Sequence, residues 1–471
     1  MQGEGLRNLS TVLDLGAALV RHDPSDEADL AGRLRAIYAG LFQVDFAGYA
    51  LDAVKREAPA LESAVFDLYL RLRSCIPRWR DLGLMGRSVQ VALRDVFRAA
   101  RYARDMLGEI MLGHPRLSGR DVTHAAFSGP PSFTDMNPTF GSLPVALQPG
   151  DVLLQRGMVH NSAAIARIGD VDSQFSHLAI VARDGRGQMV MVEALIEEGS
   201  IVTPLEAALR HGLGRAILFR HRDAELAERA SAMIYDAIVK ADGRGKDRIL
   251  YDFSMQLHGY GDLYCAKLVR LAFSMASDGG YQIPAYPTLL NLQNRDFVDR
   301  IGVTATETFA PGDMELECDF DVVAEWRDFR VTSELRLKDM IMFKLFAWME
   351  RYDYRFQPTF QIRLIGWLGW LSARLPAGLQ AMTRRLAAKV PPNMTSSAIG
   401  AVAMLHKTAE ILYARLQPLE AEAIRSTGRQ LHPRQVMELL EEMRRKLGSR
   451  IGYVATTRVI LNLEGRQVAA E

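Results

Sequence analysis

The spacing of apolar residues changes twice along the chain. From about residue 5 to 113, apolar positions recur at the 3.6-residue period of a helix, as in the segment DVFRAARYARDMLGEIML. From 150 to about 330 the pattern is mixed. The runs DVLLQ, SHLAIVA, QMVMVEA, RAILFRH and ELECDFDVVAEW are typical of strands, whereas AELAERASAMIYDAIVKA and CAKLVRLAFSMA are typical of helices. Helical periodicity returns from 331 to 471, so the chain is predicted to combine helices with strands.

A proline-rich segment separates the first two zones. It spans residues 114–149, and its prolines lie among Gly, Ser and Thr residues: Pro115, Pro130, Pro131, Pro138, Pro144 and Pro149. We therefore predict a helical region over 1–113, a linker over 114–149, a mixed region over 150–330 that carries the chemistry, and a second helical region over 331–471.

The composition is that of a globular protein with no strong overall charge. Of the 471 residues 48% are hydrophobic and 24% charged, and the formal net charge is +1. A nucleic-acid partner is therefore not expected. Three widely spaced cysteines, Cys75, Cys265 and Cys318, fit neither a disulfide framework nor a zinc site, which favours a reducing compartment.

The N-terminal segment has neither the basic start nor the long apolar core of a secretory signal peptide. No stretch reaches the roughly 18 apolar residues that a membrane-spanning helix needs. We expect synthesis in the cytoplasm without a transmembrane helix. The sequence leaves export by a dedicated secretion machine open, and any inhibitor or immunity protein unknown.

The first candidate for chemistry is a histidine on a predicted hairpin. Two strand-like runs flank the turn Asp184-Gly-Arg-Gly187. If pairing is centred on Gly185, His177 lies directly opposite Glu193, and both side chains point to the same face of the sheet. A carboxylate in that position orients an imidazole and stabilises its charged form, as a general base requires.

The second candidate is a cysteine at the start of a predicted helix. Asp262 is expected to be the N-cap, which places Cys265 in the first helical turn. The unpaired N–H groups and the helix dipole there favour a thiolate, and the backbone N–H of Cys265 is a natural donor to an oxyanion. Taken singly, such a cysteine or histidine is more often structural, and their combination raises the odds of catalysis.

The order of these motifs resembles a known family. The motifs are GDVLL from Gly150, SHLAIV from Ser176, VEA from Val192, YDF from Tyr251 and YC from Tyr264. This order is similar to the circularly permuted branch of the NlpC-type papain-like superfamily, which includes YiiX-like proteins and lecithin:retinol acyltransferase-like enzymes. In that branch the histidine strand precedes the cysteine helix.

The resemblance covers roughly residues 148–320 and implies both a fold and a site. The fold is α+β, in which a small antiparallel sheet and a cysteine-bearing helix form a permuted papain-like core between helical flanking regions. The site is a dyad of Cys265 and His177, with Glu193 in the third, orienting position. Tyr251 and Tyr264, within the same motifs, are expected beside the substrate or the oxyanion.

One departure from the family pattern lies next to the cysteine. YiiX-like proteins usually have Ser-Glu-Leu after it, whereas this chain has Ala266-Lys267-Leu268. The change alters a polar neighbour of the site and puts substrate transfer in question, though not the dyad. Scattered histidines without an HExxH motif, and the absence of a glycine-rich phosphate loop, predict neither a metal nor a cofactor.

The C-terminal region carries the clue to the substrate. Between Tyr354 and Ala409 there is no acidic residue. The basic residues there are Arg355, Arg363, Arg374, Arg384, Arg385, Lys389 and Lys407. On a helix, Leu364, Leu368, Leu371 and Leu375 form one stripe, flanked by Trp367, Trp370, Arg363 and Arg374. This pattern is typical of a helix on an anionic membrane surface, or of an amphipathic helix packed on the core.

Three functions stay open on these grounds. The first is a hydrolase or acyltransferase that acts on a lipid acyl ester through a thioester, with the C-terminal region contacting an anionic membrane. The second is an amidase or peptidase that acts on cell-wall or other peptide amides. The third is a binding module whose dyad has lost its activity.

Overall fold

The computed structural model describes residues 4–48, 50–114, 125–130, 133–136, 145–210, 213–243, 248–374 and 390–456, together with the pairs 460–461 and 467–468. The fold is α+β: an antiparallel sheet and the helices packed on it lie between two helical regions of the chain.

The described part of the N-terminal region forms five helices, as the apolar periodicity predicts. They are α1 (Glu4–Arg21), α2 (Glu27–Gln43), α3 (Leu51–Ser74), α4 (Ile76–Asp81) and α5 (Arg87–Met111). Helices α2 and α3 both pack against α5. Apolar side chains such as Leu34, Phe66 and Phe97 are fully buried between these helices.

Ten strands lie between residues 125 and 328 in the described parts of the chain. They are β1 (Ala125–Gly129), β2 (Phe133–Met136), β3 (Val152–Gly157), β4 (His177–Arg183), β5 (Met189–Leu195), β6 (Gly199–Pro204), β7 (Leu213–His221), β8 (Thr288–Leu289), β9 (Glu307–Thr308) and β10 (Phe320–Asp328). Eight of them form one sheet in the order β2-β1-β10-β7-β3-β4-β5-β6, and every neighbouring pair is antiparallel.

This sheet is wider than the small sheet that the family resemblance implies. Strands β1 and β2 come from the proline-rich segment, where a linker was predicted, and β1 pairs with β10. Most of the remaining residues of that segment lie outside the described residues. Strand β10 begins at Phe320, five residues later than the predicted strand, which began at Glu315. Residues 311–316 form a 3₁₀ helix.

Five helices accompany these strands: α6 (His160–Ala166), α7 (Leu205–Arg210), α8 (Ala224–Gly243), α9 (Cys265–Ala276) and α10 (Asp296–Ile301). Helices α8 and α9 pack on each other and on β4. In β4 the side chains of Leu178 and Ile180 belong to the large core on the helix side, whereas Ala179 and Val181 belong to a small cluster on the other face. Strand alternation therefore divides the sheet into two apolar layers.

The C-terminal region is helical, as predicted. It contains α11 (Thr332–Tyr352), α12 (Phe360–Ser372), α13 (Ser396–Thr427) and α14 (Pro433–Leu447), with short strands β11 (Arg355–Phe356), β12 (Arg450–Ile451), β13 (Val454–Ala455), β14 (Ile460–Leu461) and β15 (Gln467–Val468). Helix α12 packs on α13. Among the described helices, none is long and apolar enough to cross a bilayer.

Buried ion pairs join the helical regions to the sheet region. On α5, Arg94 pairs with Asp313 at 2.8 Å and Arg101 with Glu315 at 2.5 Å, and all four side chains are at most 2% exposed. Further pairs of this kind are Arg215 with Asp105, Arg156 with Asp339, and Arg336 with Glu109. A buried charge needs such a partner, so these contacts fix how the regions pack together.

Candidate active site

The cysteine is the first residue of its helix. Tyr264 is the N-cap of α9, with extended backbone and no side-chain cap hydrogen bond, so the prediction of Asp262 as N-cap was wrong. Cys265 still lies in the first helical turn and is 4% exposed. The helix has no acceptor of its own for the N–H at this position, which leaves that N–H free to bind an anion.

The hairpin that carries the histidine has a different register from the predicted one. Its five-residue loop is closed by a hydrogen bond from Asp184 N to Gln188 O of 2.9 Å, which centres the turn on Arg186 rather than Gly185. Ala179, not His177, lies directly opposite Glu193. The shift amounts to two residues on the partner strand, and because side chains alternate with a period of two, it leaves His177 and Glu193 on the same face.

His177 and Glu193 meet diagonally across the two strands. The Nε2 of His177 lies 2.9 Å from Oε2 of Glu193. The other carboxylate oxygen of Glu193 accepts a hydrogen bond of 2.6 Å from the hydroxyl of Thr203 on β6. The carboxylate is thus held from both sides. Thr203 could not be predicted as part of the site, because a threonine in a short strand carries no signal of its own until the strand order is known.

The thiol of Cys265 reaches the same imidazole. His177 is the first residue of β4, so its ring lies at the N-terminal end of that strand, next to the N-terminus of α9. Burial lowers the pKa of His177, but hydrogen bonds to Cys265 and Glu193 and the negative charges of both groups outweigh burial and raise that pKa to about 10. The imidazole is therefore protonated at neutral pH, which suits a thiolate–imidazolium pair.

The lysine that departs from the family pattern has a structural partner. The Nζ of Lys267 donates to Oδ2 of Asp252 at 2.7 Å, and Lys267 is 1% exposed. The other oxygen of Asp252 accepts hydrogen bonds from the N–H and hydroxyl of Ser254. This ion pair attaches the segment that begins at Tyr251 to the cysteine helix, two residues after the nucleophile candidate.

A cavity of about 690 Å³ opens beside the cysteine and the histidine. Its walls also include Glu193, Thr203 and Tyr251. Most of the remaining lining is apolar and comes from several regions, among them Ile165, Ile168, Leu195, Ile201, Met255, Phe297, Ile301, Val390, Met394, Ile399, Val402, Ala403 and Leu405. The last six belong to the C-terminal region. No sequence pattern predicted that these residues line the site, because they lie more than a hundred residues from Cys265 and His177 along the chain.

A glutamine that the sequence analysis did not single out lies next to the histidine. Gln155 is directly opposite His177 in the β3–β4 pair, lines the cavity and is 8% exposed. Among the described residues its Nε2 has no hydrogen-bond partner. A buried amide without a partner is costly, so its presence at a cavity calls for a polar ligand.

The two predicted tyrosines are placed differently. Tyr251 is buried and lines the cavity. The hydroxyl of Tyr264 accepts hydrogen bonds from the Thr308 hydroxyl at 3.0 Å and from the Phe309 N–H at 3.2 Å, and Tyr264 is not among the described residues that line the cavity. The structure therefore brings Tyr251, but not Tyr264, to the site.

The residues predicted for membrane approach do not line the cavity: Arg363, Trp367 and Trp370 lie on α12, and Arg374 lies just after its end. Trp367 is 51% exposed, and Trp370 is half-buried under the guanidinium of Arg374, at 4.3 Å from the ring centre. Arg363 and Arg374 are exposed. In the described ranges, no three His, Cys, Asp or Glu side chains converge as metal ligands would.

The comparison with family models agrees with this geometry. Residues 146–314 match the model of the permuted papain-like amidase enzymes, YaeF/YiiX, C92 family. This segment is a permuted papain-like domain of the YaeF/YiiX family. The protein is accordingly a cysteine hydrolase. Comparisons with curated proteins and with solved structures gave no match.

The match covers the permuted papain-like domain from just before β3 to the 3₁₀ turn. It includes Cys265, His177, Glu193 and Gln155. Strand β10, the N-terminal helices and the C-terminal region, which supplies much of the cavity wall, lie outside it.

Proposed function

We propose that the protein hydrolyses the acyl ester of a lipid, with Cys265 as nucleophile, His177 as acid–base and Glu193 as the residue that orients His177. The observation that carries this proposal is the cavity at the dyad. Its volume, about 690 Å³, is in the range of small-molecule sites, and its walls are mainly aliphatic and aromatic. An apolar acyl chain gains by leaving water for such a cavity, whereas a peptide would leave the backbone groups that face the apolar part of the wall without partners.

The reaction begins from the thiolate–imidazolium pair. The Cys265 sulfur attacks the acyl carbonyl carbon, and the carbonyl electrons move to oxygen. As the carbon–oxygen bond to the leaving alcohol breaks, the imidazolium of His177 gives that alcohol its proton. A thioester on Cys265 results. Water then attacks the thioester while the neutral His177 accepts its proton, and the fatty acid leaves with the thiolate restored.

The negative oxygen of each tetrahedral intermediate needs donors. The N–H of Cys265, at the first position of α9, is one of them. The second is the side-chain amide of Gln155, which lies beside His177 and has no partner within the described protein. A reacting carbonyl at Cys265 would give this amide the ligand that it lacks.

Amide cleavage is the alternative to ester hydrolysis. The matching family is described as amidase enzymes, so the same thiol could cleave the amide of a fatty acid or a peptide. If an alcohol or amine rather than water resolves the thioester, the enzyme is an acyltransferase. The cavity wall favours an apolar acyl group in each of these reactions.

The test compares substrates that differ in one feature. Purified protein is incubated with a mixed lipid extract, and separately with a palmitoyl ester, the matching palmitoyl amide, an acetyl ester and a short peptide amide. We expect release of fatty acid and a preference for the palmitoyl ester over the acetyl ester. Cys265→Ala and Cys265→Ser should lose activity by a factor of about 10⁴ or more with unchanged circular dichroism. Activity in Cys265→Ala would remove the nucleophile assignment, and turnover of the peptide amide alone would replace the lipid proposal with the amidase.

A further inference from the structure

Helix α12 presents an apolar face to solvent. Its exposed side chains are Phe360 at 80%, Leu364 at 43%, Ile365 at 40%, Trp367 at 51%, Leu368 at 49% and Leu371 at 38%. These make up nearly half of the exposed large apolar side chains in the described chain. A contiguous apolar patch of this kind marks a binding surface, since isolated apolar side chains on a surface are ordinary and clustered ones are not.

The packing of the opposite face of α12 determines which side chains are exposed. Ile362 and Gly366 are buried on that side. A Cβ at Gly366 would lie 2.6 Å from the carbonyl oxygen of Ser396, so only glycine lets α12 rest this closely on the start of α13. The helix packs through Ile362 and Gly366, so Leu364, Leu368 and Leu371 of the leucine stripe face outward instead of toward the core. Leu375, the fourth residue of the predicted stripe, lies outside the described residues.

Basic residues flank the exposed face. Arg363 and Arg374 are exposed, and Arg374 stacks on the half-buried ring of Trp370. Acidic residues are absent from the sequence between Tyr354 and Ala409. Arg384, Arg385 and Lys389 of the same acid-free stretch lie outside the described residues. Apolar side chains with Trp and Arg beside them complement an anionic lipid surface, where both the burial and the charge act in the same direction.

The start of α13 and the segment before it, on which α12 packs, also line the cavity. A Cβ at Gly369 would lie 3.3 Å from Cγ2 of Ile399, and Ile399 lines the cavity. Val390 and Met394, in the segment that leads into α13, line it as well. The side chain of Asn393 donates to the carbonyl oxygen of Tyr251 at 2.8 Å, beside the dyad. One layer of residues thus separates the exposed face of α12 from the site.

We infer that α12 lies flat on an anionic bilayer and holds the cavity against it, so that the substrate is a lipid taken directly from the bilayer. The part of this inference that concerns the substrate rests on the proposed lipid hydrolysis, whereas binding of α12 to the bilayer can be measured without turnover. The apolar side chains would lie at the boundary between headgroups and acyl chains, and the arginines at the phosphates. High salt should weaken the attraction, because exposed charges are screened.

The experiment is flotation of the full chain with vesicles of phosphatidylcholine alone, or of phosphatidylcholine mixed with phosphatidylglycerol. We expect binding to the mixed vesicles that falls as salt rises. The double variant Trp367→Ser/Leu371→Ser should lose at least about tenfold in binding, because two large apolar side chains no longer enter the bilayer. The matched control is Leu419→Ser on α13, which removes an equally exposed leucine, 42% exposed, outside this face.

Activity separates this inference from the proposed function. The ratio of turnover on vesicle lipid to turnover on a soluble short ester should fall in Trp367→Ser/Leu371→Ser and stay constant in Leu419→Ser. Equal flotation of the double variant and the wild type overturns the docking, as does absence of wild-type binding. A concentration-dependent dimer in sedimentation that the double variant abolishes would instead assign the face to a second copy of the chain. Vesicle binding without any ester turnover leaves the docking intact and removes the lipid-hydrolase proposal.

Discussion

The carboxylate of Glu193 holds the imidazole of His177 through Nε2 at 2.9 Å, although the residue directly opposite Glu193 is Ala179, two residues further along the strand. With Nε2 committed to the carboxylate, the other ring nitrogen is available to the thiol of Cys265. The hydroxyl of Thr203 in turn fixes the far oxygen of Glu193. Orientation of the imidazole therefore depends on three adjacent strands of the sheet, β4, β5 and β6.

Replacing Glu193 by Gln should move the alkaline limit of activity. Glu193 raises the pKa of His177 through its hydrogen bond and its charge, so its loss lowers that pKa from about 10. The proton that His177 donates to the leaving group is then lost at lower pH, and the alkaline limb of the kcat/KM profile shifts down. The value of kcat at neutral pH should fall without vanishing. Thr203→Val, which leaves the charge in place, should give a smaller shift, and an unchanged profile in Glu193→Gln would contradict the assignment.

The same raised pKa predicts a dependence of stability on pH. A histidine that is more basic in the folded than in the unfolded chain stabilises the fold fully below its unfolded pKa of about 6.5. This contribution is lost as pH rises through about 10. Denaturant unfolding from pH 6 to 10 should therefore show a loss of stability that is smaller in Cys265→Ala, because the thiol hydrogen bond and charge also raise the pKa of His177. Identical pH profiles would show that the two side chains do not interact.

Replacing Lys267 by Met should destabilise the protein. The substitution leaves the carboxylate of Asp252 buried without its cation, which costs on the order of 3–5 kcal/mol of unfolding free energy. The double variant Lys267→Met/Asp252→Asn removes both charges and should recover part of the loss. Denaturant unfolding measures both variants. If the single and double variants are equally unstable, the ion pair is not the source of the effect.

Replacing Gln155 by Met should lower kcat with little change in KM. The side chain keeps its approximate size, and the oxyanion loses one donor, which typically costs a factor of about 10²–10³ in kcat. Steady-state kinetics on the palmitoyl ester measure the effect. A rise in KM alone would mean that Gln155 binds the substrate in its ground state instead.

Replacing Ala403 by Phe should change selectivity for acyl length. Ala403 lies on α13 and lines the cavity, so a larger side chain there fills space that an acyl chain would use. We expect the ratio of palmitoyl to acetyl ester turnover to fall, with acetyl ester turnover retained. An unchanged ratio would show that the acyl chain lies elsewhere.

Local patterns in the sequence predicted the parts of the site that depend on alternation and helical position. The prediction that His177 and Glu193 share a face of the sheet is correct although the predicted register is wrong. The register differs by two residues, and a shift by an even number of residues leaves each side chain on the same face. Cys265 stayed in the first turn although the cap is Tyr264 and not Asp262. The strands in the proline-rich segment could not be predicted, since β1 pairs with β10, about two hundred residues away, and β2 joins the sheet only through β1.

The C-terminal region shows the same limit. Its leucine stripe was visible in the sequence, but the direction that it faces depends on Gly366 meeting α13. The walls that Ile399 and Ala403 contribute to the cavity depend on long-range packing in the same way. Periodicity identifies an amphipathic helix and does not say which of its sides is packed.

The buried arginines have a consequence for the autonomy of the papain-like segment. A fragment limited to residues 146–314 would lose strand β10, leaving β7 as an unprotected edge. Arg156, Arg215 and Asp313 would each lose a buried counter-ion that lies on α11 or α5. Each orphaned charge costs on the order of 3–5 kcal/mol, so the three together cost about 9–15 kcal/mol, which is comparable to the whole stability of an ordinary domain. The segment that carries the candidate catalytic residues is therefore not a portable module, because its stability depends on the helices around it.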